Sequence, residues 1–268
     1  IWAGFLAAAF VLIWLLAAPG QRMVRLIHGL GAAVLLPVFV GVLFGQVSLV
    51  VVAAVALAWW LLARGRPWVA GLALSALMLK PQIAFLVPLA LLLAGYGRVF
   101  VAWLLVSVPL AALTLLATGA GVFEQISRSL HAVSGVPGPI QSSLLRQLPL
   151  PVALMGVALV LGSSVVIVWR GRCRGPSLAI AVGLIASVLV SPYVNFYDLS
   201  ALVLAGWLIL RTEPPPWQRA VTLGMYVPLY GAPIWPVVTL ACLCGWLLSL
   251  AALALTPRQA GRESEGGI

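Results

Sequence analysis

The sequence predicts an all-α polytopic membrane protein of about eleven transmembrane helices. Three observations predict it. Of 268 residues, 63% are hydrophobic and only 7% charged, against about 25% charged in soluble domains, and mean hydropathy is +1.17. Apolar runs of about span length follow one another along the chain. The basic residues sort to one side of the spans those runs define. A net charge of +10 would point to nucleic acid in a soluble domain. Here the fifteen Lys and Arg sit in short loops between apolar runs, where they act as topology signals, and no nucleic-acid partner is expected.

The runs are 1–18, 29–63, 67–95, 99–118, 151–169, 176–190, 194–210 and 220–255. The first begins directly at Ile1 with no basic stretch before it. It reads as a span and not as a signal peptide, and the chain as beginning inside a larger protein. As one helix, 29–63 would be roughly 52 Å long, too long for one crossing. It is expected to turn at "FGQ", 44–46, and 220–255 at "YGAPIWP", 230–236. Runs 99–118, 151–169, 176–190 and 194–210 each have the length of a single span.

Run 67–95 carries Lys80-Pro81-Gln82 at its middle. A lysine at the bilayer centre costs about 2.5–3.5 kcal/mol, and proline breaks the helix that would carry it. Charge decides between one crossing and a turn. If the chain turns there, one side collects Arg22, Arg25, Arg64, Arg66, Arg98, Arg170, Arg172, Arg174, Arg211, Arg219, Arg258 and Arg262, and the other only Lys80, Arg128 and Arg146. If it crosses once, the bias vanishes. Lys80-Pro81-Gln82 is therefore predicted as the apex of a helical hairpin, lying slightly below the outer surface against protein or a water-filled cavity. Residues 1–255 form one transmembrane domain with the N-terminus out, and 256–268 a polar cytoplasmic tail.

The polar apices then share the outer side: Gln46, Lys80 to Gln82, the loop 119–150, and "SPYVNFYD" at 191–198. In the loop, Phe123, Ile126, Leu130 and Val133 recur at helical spacing, which predicts an amphipathic helix in the outer interface. Glu124 and Arg128, at i and i+4, either pair or serve a site. His131 follows three residues on, as a structural or a substrate-lining group. Arg146 suits a phosphate or a headgroup anchor. Asp198 opens a span, where a carboxylate caps the helix. Tyr193, Asn195 and Tyr197 beside it offer stacking and hydrogen bonds to a sugar. Lys80, an ammonium below the surface, needs an anionic partner, and a lipid-linked phosphate is one; snorkelling to headgroups is the plain alternative. Cys242 and Cys244 point to different faces of a helix and Cys173 lies in a basic loop, so no metal site is expected. No phosphate-binding Gly loop, HExxH or Ser/His/Asp set is present, and no cofactor is expected.

"GQVSLVVVAAVALAWWLLARGRPWVAGLALSALMLKPQ", followed over a hundred residues on by "SPYVNFYDL", resembles bacterial glycosyltransferase family 87, from about Leu43 to Leu210. These are GT-C-type membrane enzymes related to polyprenyl-phosphate-mannose-dependent mannosyltransferases. The resemblance implies inverting transfer of a hexose from a polyprenyl-phosphate donor to a lipid or glycan acceptor, at the outer face of the bacterial plasma membrane. By the same resemblance no nucleotide sugar is expected to take part. Gln46, Lys80, Gln82, Tyr197 and Asp198 match by position. Lys80 would hold the leaving phosphate, with Arg128 or Arg146 assisting. Relatives often show Asn soon after GQ, where this chain has Val47-Ser48. The family's catalytic carboxylate lies in a first outer loop with no counterpart here, so the resemblance implies that such a loop precedes Ile1; Asp198 and Glu124 are the remaining base candidates. A flippase, transporter or binder of a lipid-linked sugar is the alternative.

Overall fold

The computed structural model describes residues 1–119, 121, 124, 128 and 143–255. The tail 256–268 and most of the loop 119–150, with the amphipathic helix expected in it, lie outside the described residues. Among the described residues every regular element is helical. They are α1 (Trp2–Ala17), α2 (Arg22–Ala33), α3 (Leu36–Leu43), α4 (Ser48–Ala63), α5 (Pro67–Leu74), α6 (Leu86–Leu93), α7 (Gly97–Thr118), α8 (Leu144–Gln147), α9 (Leu150–Arg170), α10 (Pro176–Val190), α11 (Ala201–Leu210), α12 (Pro216–Gly224), α13 (Tyr226–Gly231) and α14 (Pro236–Leu255). Prolines open α3, α5, α9, α10 and α12 within their first two positions, where the missing N–H would have had no helical partner anyway.

Length and burial divide these helices into two kinds. α7, α9 and α14 are each long and apolar enough to cross a membrane, and α2 with α3, bent by 62°, make up to a fourth such span. α7 and α9 turn large side chains outward, among them Leu105, Leu113, Leu116, Met155 and Leu159, an apolar surface suited to lipid. The five remaining apolar helical segments have 10–17 residues. At 1.5 Å per residue they fall short of a 30 Å core unaided; α4, α10 and α11 pack inside, whereas α1 and α5 keep Phe5, Leu15, Trp68 and Leu72 exposed. α10 is the centre: every residue from Leu178 to Val190 is buried, against α4, α6, α9, α11 and α14. Hydropathy alone does not separate the two kinds. The fold places α4, α10 and α11 in the interior and leaves α7 and α9 largely exposed.

The expected turns occur. At 44–46, Gln46 N–H bonds the Gly41 carbonyl (2.8 Å) and Gly45 N–H the Val42 carbonyl (3.1 Å). This is a Schellman-type stop with Gly45 at φ 66°. At 232–235 the chain turns between α13 and α14.

After α5 the chain passes through two short 3₁₀ turns, Ser75–Leu79 and Pro81–Ile83, on either side of Lys80. It then reverses. Gly71, early in α5, lies so close to the first turns of α7 that a Cβ there would sit 2.4 Å from the Val99 carbonyl oxygen and 2.5 Å from Ala102 Cβ. A chain that leaves one level at Pro67 is back at it by Val99, which a single crossing cannot achieve. α6 runs antiparallel to α10, with Leu86 N–H donating to Ser187 Oγ (3.0 Å) and Gly183 beside Val87. The two 3₁₀ turns and the end of α10 therefore share one end of the molecule.

At the opposite end Arg25 donates to the Leu15 carbonyl (2.6 Å) and Arg211 to the Ala18 carbonyl (3.2 Å), both closing the free carbonyls of α1. Trp59 Nε1 donates to Ser177 Oγ (2.9 Å) there, and the Arg211 guanidinium lies over the Trp59 ring at 5.0 Å.

Candidate functional site

Three segments far apart in the chain meet at the end where the Lys80 turn lies. The Gly45 stop delivers Gln46 and, at the first position of α4, Ser48. Trp2 Nε1 fixes that stop by donating to the Gly45 carbonyl (2.7 Å). The hairpin delivers Lys80. The loop after α10 delivers Tyr193, Asn195, Tyr197 and Asp198, the last two inside the 3₁₀ turn Phe196–Ser200. That turn is closed by a capping box between Asn195 and Asp198, in which Asn195 N–H donates to Asp198 Oδ2 (3.1 Å).

Lys80 and Asp198 form an ion pair at 2.5 Å, with Asp198 wholly buried and Lys80 8% exposed. Ser48 Oγ donates to Asp198 Oδ1 (2.6 Å) and accepts from Lys80 Nζ (2.9 Å). The third ammonium contact, to Gln46 Oε1, is the longest at 3.4 Å. The Tyr197 ring lies 4.7 Å from Nζ, within reach of a cation–π attraction. The carboxylate thus has both oxygens engaged, and the ammonium has protein acceptors for all three protons. A buried charge is tolerated because it is paired and hydrogen-bonded; removing either partner would leave the other uncompensated. At the rim, the Asn195 amide nitrogen bridges the Tyr193 hydroxyl (2.7 Å) and the Tyr197 hydroxyl. The two tyrosines are only part-buried, so part of each stays accessible beside the cluster.

The anionic partner that sequence reasoning sought for Lys80 is thus supplied within the chain by Asp198. Gln46, Lys80, Tyr193, Asn195, Tyr197 and Asp198 come together. Gln82 is part-exposed and forms no hydrogen bond with them. Glu124 and Arg128 are exposed and pair with each other at 2.5 Å. His131 lies outside the described residues. Arg146, on α8 against α9, α10 and α14, forms no bond with the cluster, and its Nε is buried without a partner. Sequence reasoning missed Ser48 as a ligand of both charges, and Trp2. Ser48 follows the GQ motif, and a hydroxyl opening an otherwise apolar helix is the signal that could have found it. Among the described residues no cluster of His, Cys, Asp or Glu could hold a metal.

Fold and site together define a membrane-embedded helical protein with a polar, charge-balanced site at one end and arginines at the other. The chain belongs to glycosyltransferase family 87, whose model matches residues 1–192, and membership makes it a membrane glycosyltransferase with a sugar donor and an acceptor as substrates. The match takes in Gln46, Ser48 and Lys80, reaches further toward the N-terminus than the sequence resemblance did, and ends just before Tyr193. No curated protein and no solved structure matches the chain.

Proposed function

We propose that the protein transfers a hexose, of mannosyl type, from a polyprenyl-phosphate donor to a hydroxyl of a lipid or glycan acceptor, with inversion, at the outer face of a bacterial plasma membrane. The Lys80 cluster is the donor's phosphate end. The observation that carries this reading is the uneven grip on the ammonium. Asp198 and Ser48 hold it closely from within, and Gln46 holds it loosely on the remaining side. A phosphate oxygen replacing Gln46 Oε1 gains a charge-assisted hydrogen bond without breaking the buried pair. Arg146, with its unpartnered Nε, is the second candidate for that phosphate.

In the reaction the acceptor oxygen attacks the anomeric carbon as the bond to the phosphate oxygen breaks, and the electron pair leaves on the phosphate. The ammonium offsets the charge that develops there. A general base takes the hydroxyl proton. Asp198 is poorly suited to that task, being wholly buried with both oxygens engaged, and instead positions Lys80. Tyr193 and Tyr197 offer the sugar stacking edges and hydroxyls, oriented by Asn195. An N-out, eleven-span arrangement, with the arginine end inside, follows from the positive-inside bias.

A second reading, a binder or transporter of a lipid-linked sugar, is favoured by one observation: every carboxylate among the described residues at or beyond this end, Asp198 and Glu124, is already engaged. Transfer of radiolabelled mannose from a polyprenyl-phosphate donor, measured beside binding of the same donor, separates the two. Transfer that depends on Lys80 supports the enzyme; binding without transfer supports the binder.

A further inference from the structure

At the arginine end, remote from the Lys80 cluster, a cleft of about 590 Å³ opens between the α1–α2 turn, the end of α11 and the face of α12. His28, Arg211, Glu213 and Arg219 line it, with Pro19 and Gly20 at the turn. A second hollow of about 390 Å³ shares Arg211 and Glu213. The larger volume is in the usual range for small-ligand sites.

We infer that this cleft binds a phosphate group, carried by an anionic lipid headgroup or by a small soluble molecule. Among the described residues the charges lining the cleft form no ion pair. Among the described residues Glu213 takes part in no ion pair, since the pairs formed are Lys80–Asp198 and Glu124–Arg128. Arg211 and Arg219 thus face the cleft without a bonded anion among the described residues, and with Glu213 as the one carboxylate beside them the cleft keeps an excess of positive charge. Arg211 is preset for the task. One N–H is fixed on the Ala18 carbonyl (3.2 Å), and the guanidinium plane is backed by the Trp59 ring at 5.0 Å. Its other N–H groups find no partner among the described residues, and a guanidinium offers five in a fork that matches phosphate. Partial burial, and then the nearby Arg25 charge, pull the Arg211 guanidinium below its ordinary value; an anion in the cleft would offset the repulsion between the two guanidiniums.

The backbone supports the same assignment. α11 stops with Thr212 N–H on the Ile209 carbonyl and Glu213 N–H on that of Leu210. Such a stop usually takes Gly or Asn in the left-handed conformation. Here it is Glu213, at φ 48° the only non-glycine with positive φ among the described residues. Strain kept at a polar cleft is characteristic of binding sites. This site is independent of the glycosyl-transfer reading, because it shares no residue with the Lys80 cluster.

The test uses the full chain in a maltoside detergent, which carries no phosphate, and two probes: a fluorescent short-chain phosphatidic acid and inorganic phosphate. The expected result is saturable binding of the lipid, weakened at least tenfold in Arg219→Gln, regained in part by Arg219→Lys, and unchanged in Arg66→Gln, an exposed cation outside the cleft. Competition by inorganic phosphate assigns a soluble phosphate as ligand, and its absence assigns the headgroup; either outcome upholds a phosphate site. No saturable binding of either probe to the wild-type chain overturns it without reference to any variant. Equal losses in Arg219→Gln and Arg66→Gln overturn it as well, since a diffuse basic face would then account for all binding.

Discussion

Asp198 is the residue on which the site's stability turns. Its carboxylate is wholly buried and accepts from Lys80, Ser48 and the Asn195 backbone. Asp198→Asn leaves the Lys80 ammonium buried without a counter-charge, and a loss of about 3–5 kcal/mol is expected from breaking such a pair. The double variant Lys80→Met/Asp198→Leu removes both charges, and its melting temperature in detergent should lie well above that of Asp198→Asn while transfer stays abolished. A double variant no more stable than the single one would show that the two charges are not coupled. The cluster was only half legible beforehand. Each of its polar groups except Ser48 stood out as an interruption of an apolar run, but the pairing did not. Lys80 and Asp198 are 118 positions apart and Ser48 and Asp198 150, and nothing in local periodicity links such distant groups. Phosphate and carboxylate are equally good partners for an ammonium, so sequence alone left the choice open.

Among the elements, the hairpin was legible because two independent costs agreed: an unpaired lysine in lipid and a lost charge bias. Its packing was not. Gly71 and Gly183 read as ordinary glycines of apolar runs, yet each lets two helices approach more closely than a methyl group permits. Gly71→Ala should loosen α5 from α7 and destabilise the protein by about 1–3 kcal/mol, whereas Gly162→Ala, with open space around it, should have no such cost. Equal melting temperatures for the two variants would contradict the close packing of the hairpin's first arm. Trp2 acts at the same scale. Trp2→Phe keeps the ring and loses the bond to the Gly45 carbonyl, so a loss of about 1 kcal/mol is expected, together with weaker donor binding as Gln46 and Ser48 lose their fixed register. Burial inside the membrane domain was the least legible feature, because α4, α10 and α11 are as apolar as the lipid-facing helices. Hydropathy cannot tell a side chain against protein from one against lipid, and length alone does not either, since α1 is as short as α4 yet keeps Phe5 and Leu15 exposed.

For the whole molecule, the two ends carry different chemistry: a charge-balanced polar cluster at one and arginines around a cleft at the other. In the proposed topology the arginine end faces the cytoplasm, as the positive-inside bias would have it. A membrane-impermeant maleimide should therefore label the exposed Cys173 only from the cytoplasmic side, and a cysteine introduced at Pro192 only from outside; labelling of both from one side would overturn the topology. In the proposed reaction Lys80 holds the phosphate of a lipid-linked sugar during transfer. The most direct measurement is the initial rate of mannose transfer from a polyprenyl-phosphate donor by the protein in liposomes, wild type against Lys80→Met/Asp198→Leu. At least a hundredfold loss of transfer is expected, in a variant that still melts cooperatively. Wild-type rates in that variant would contradict it, and the buried pair would then be a structural brace alone.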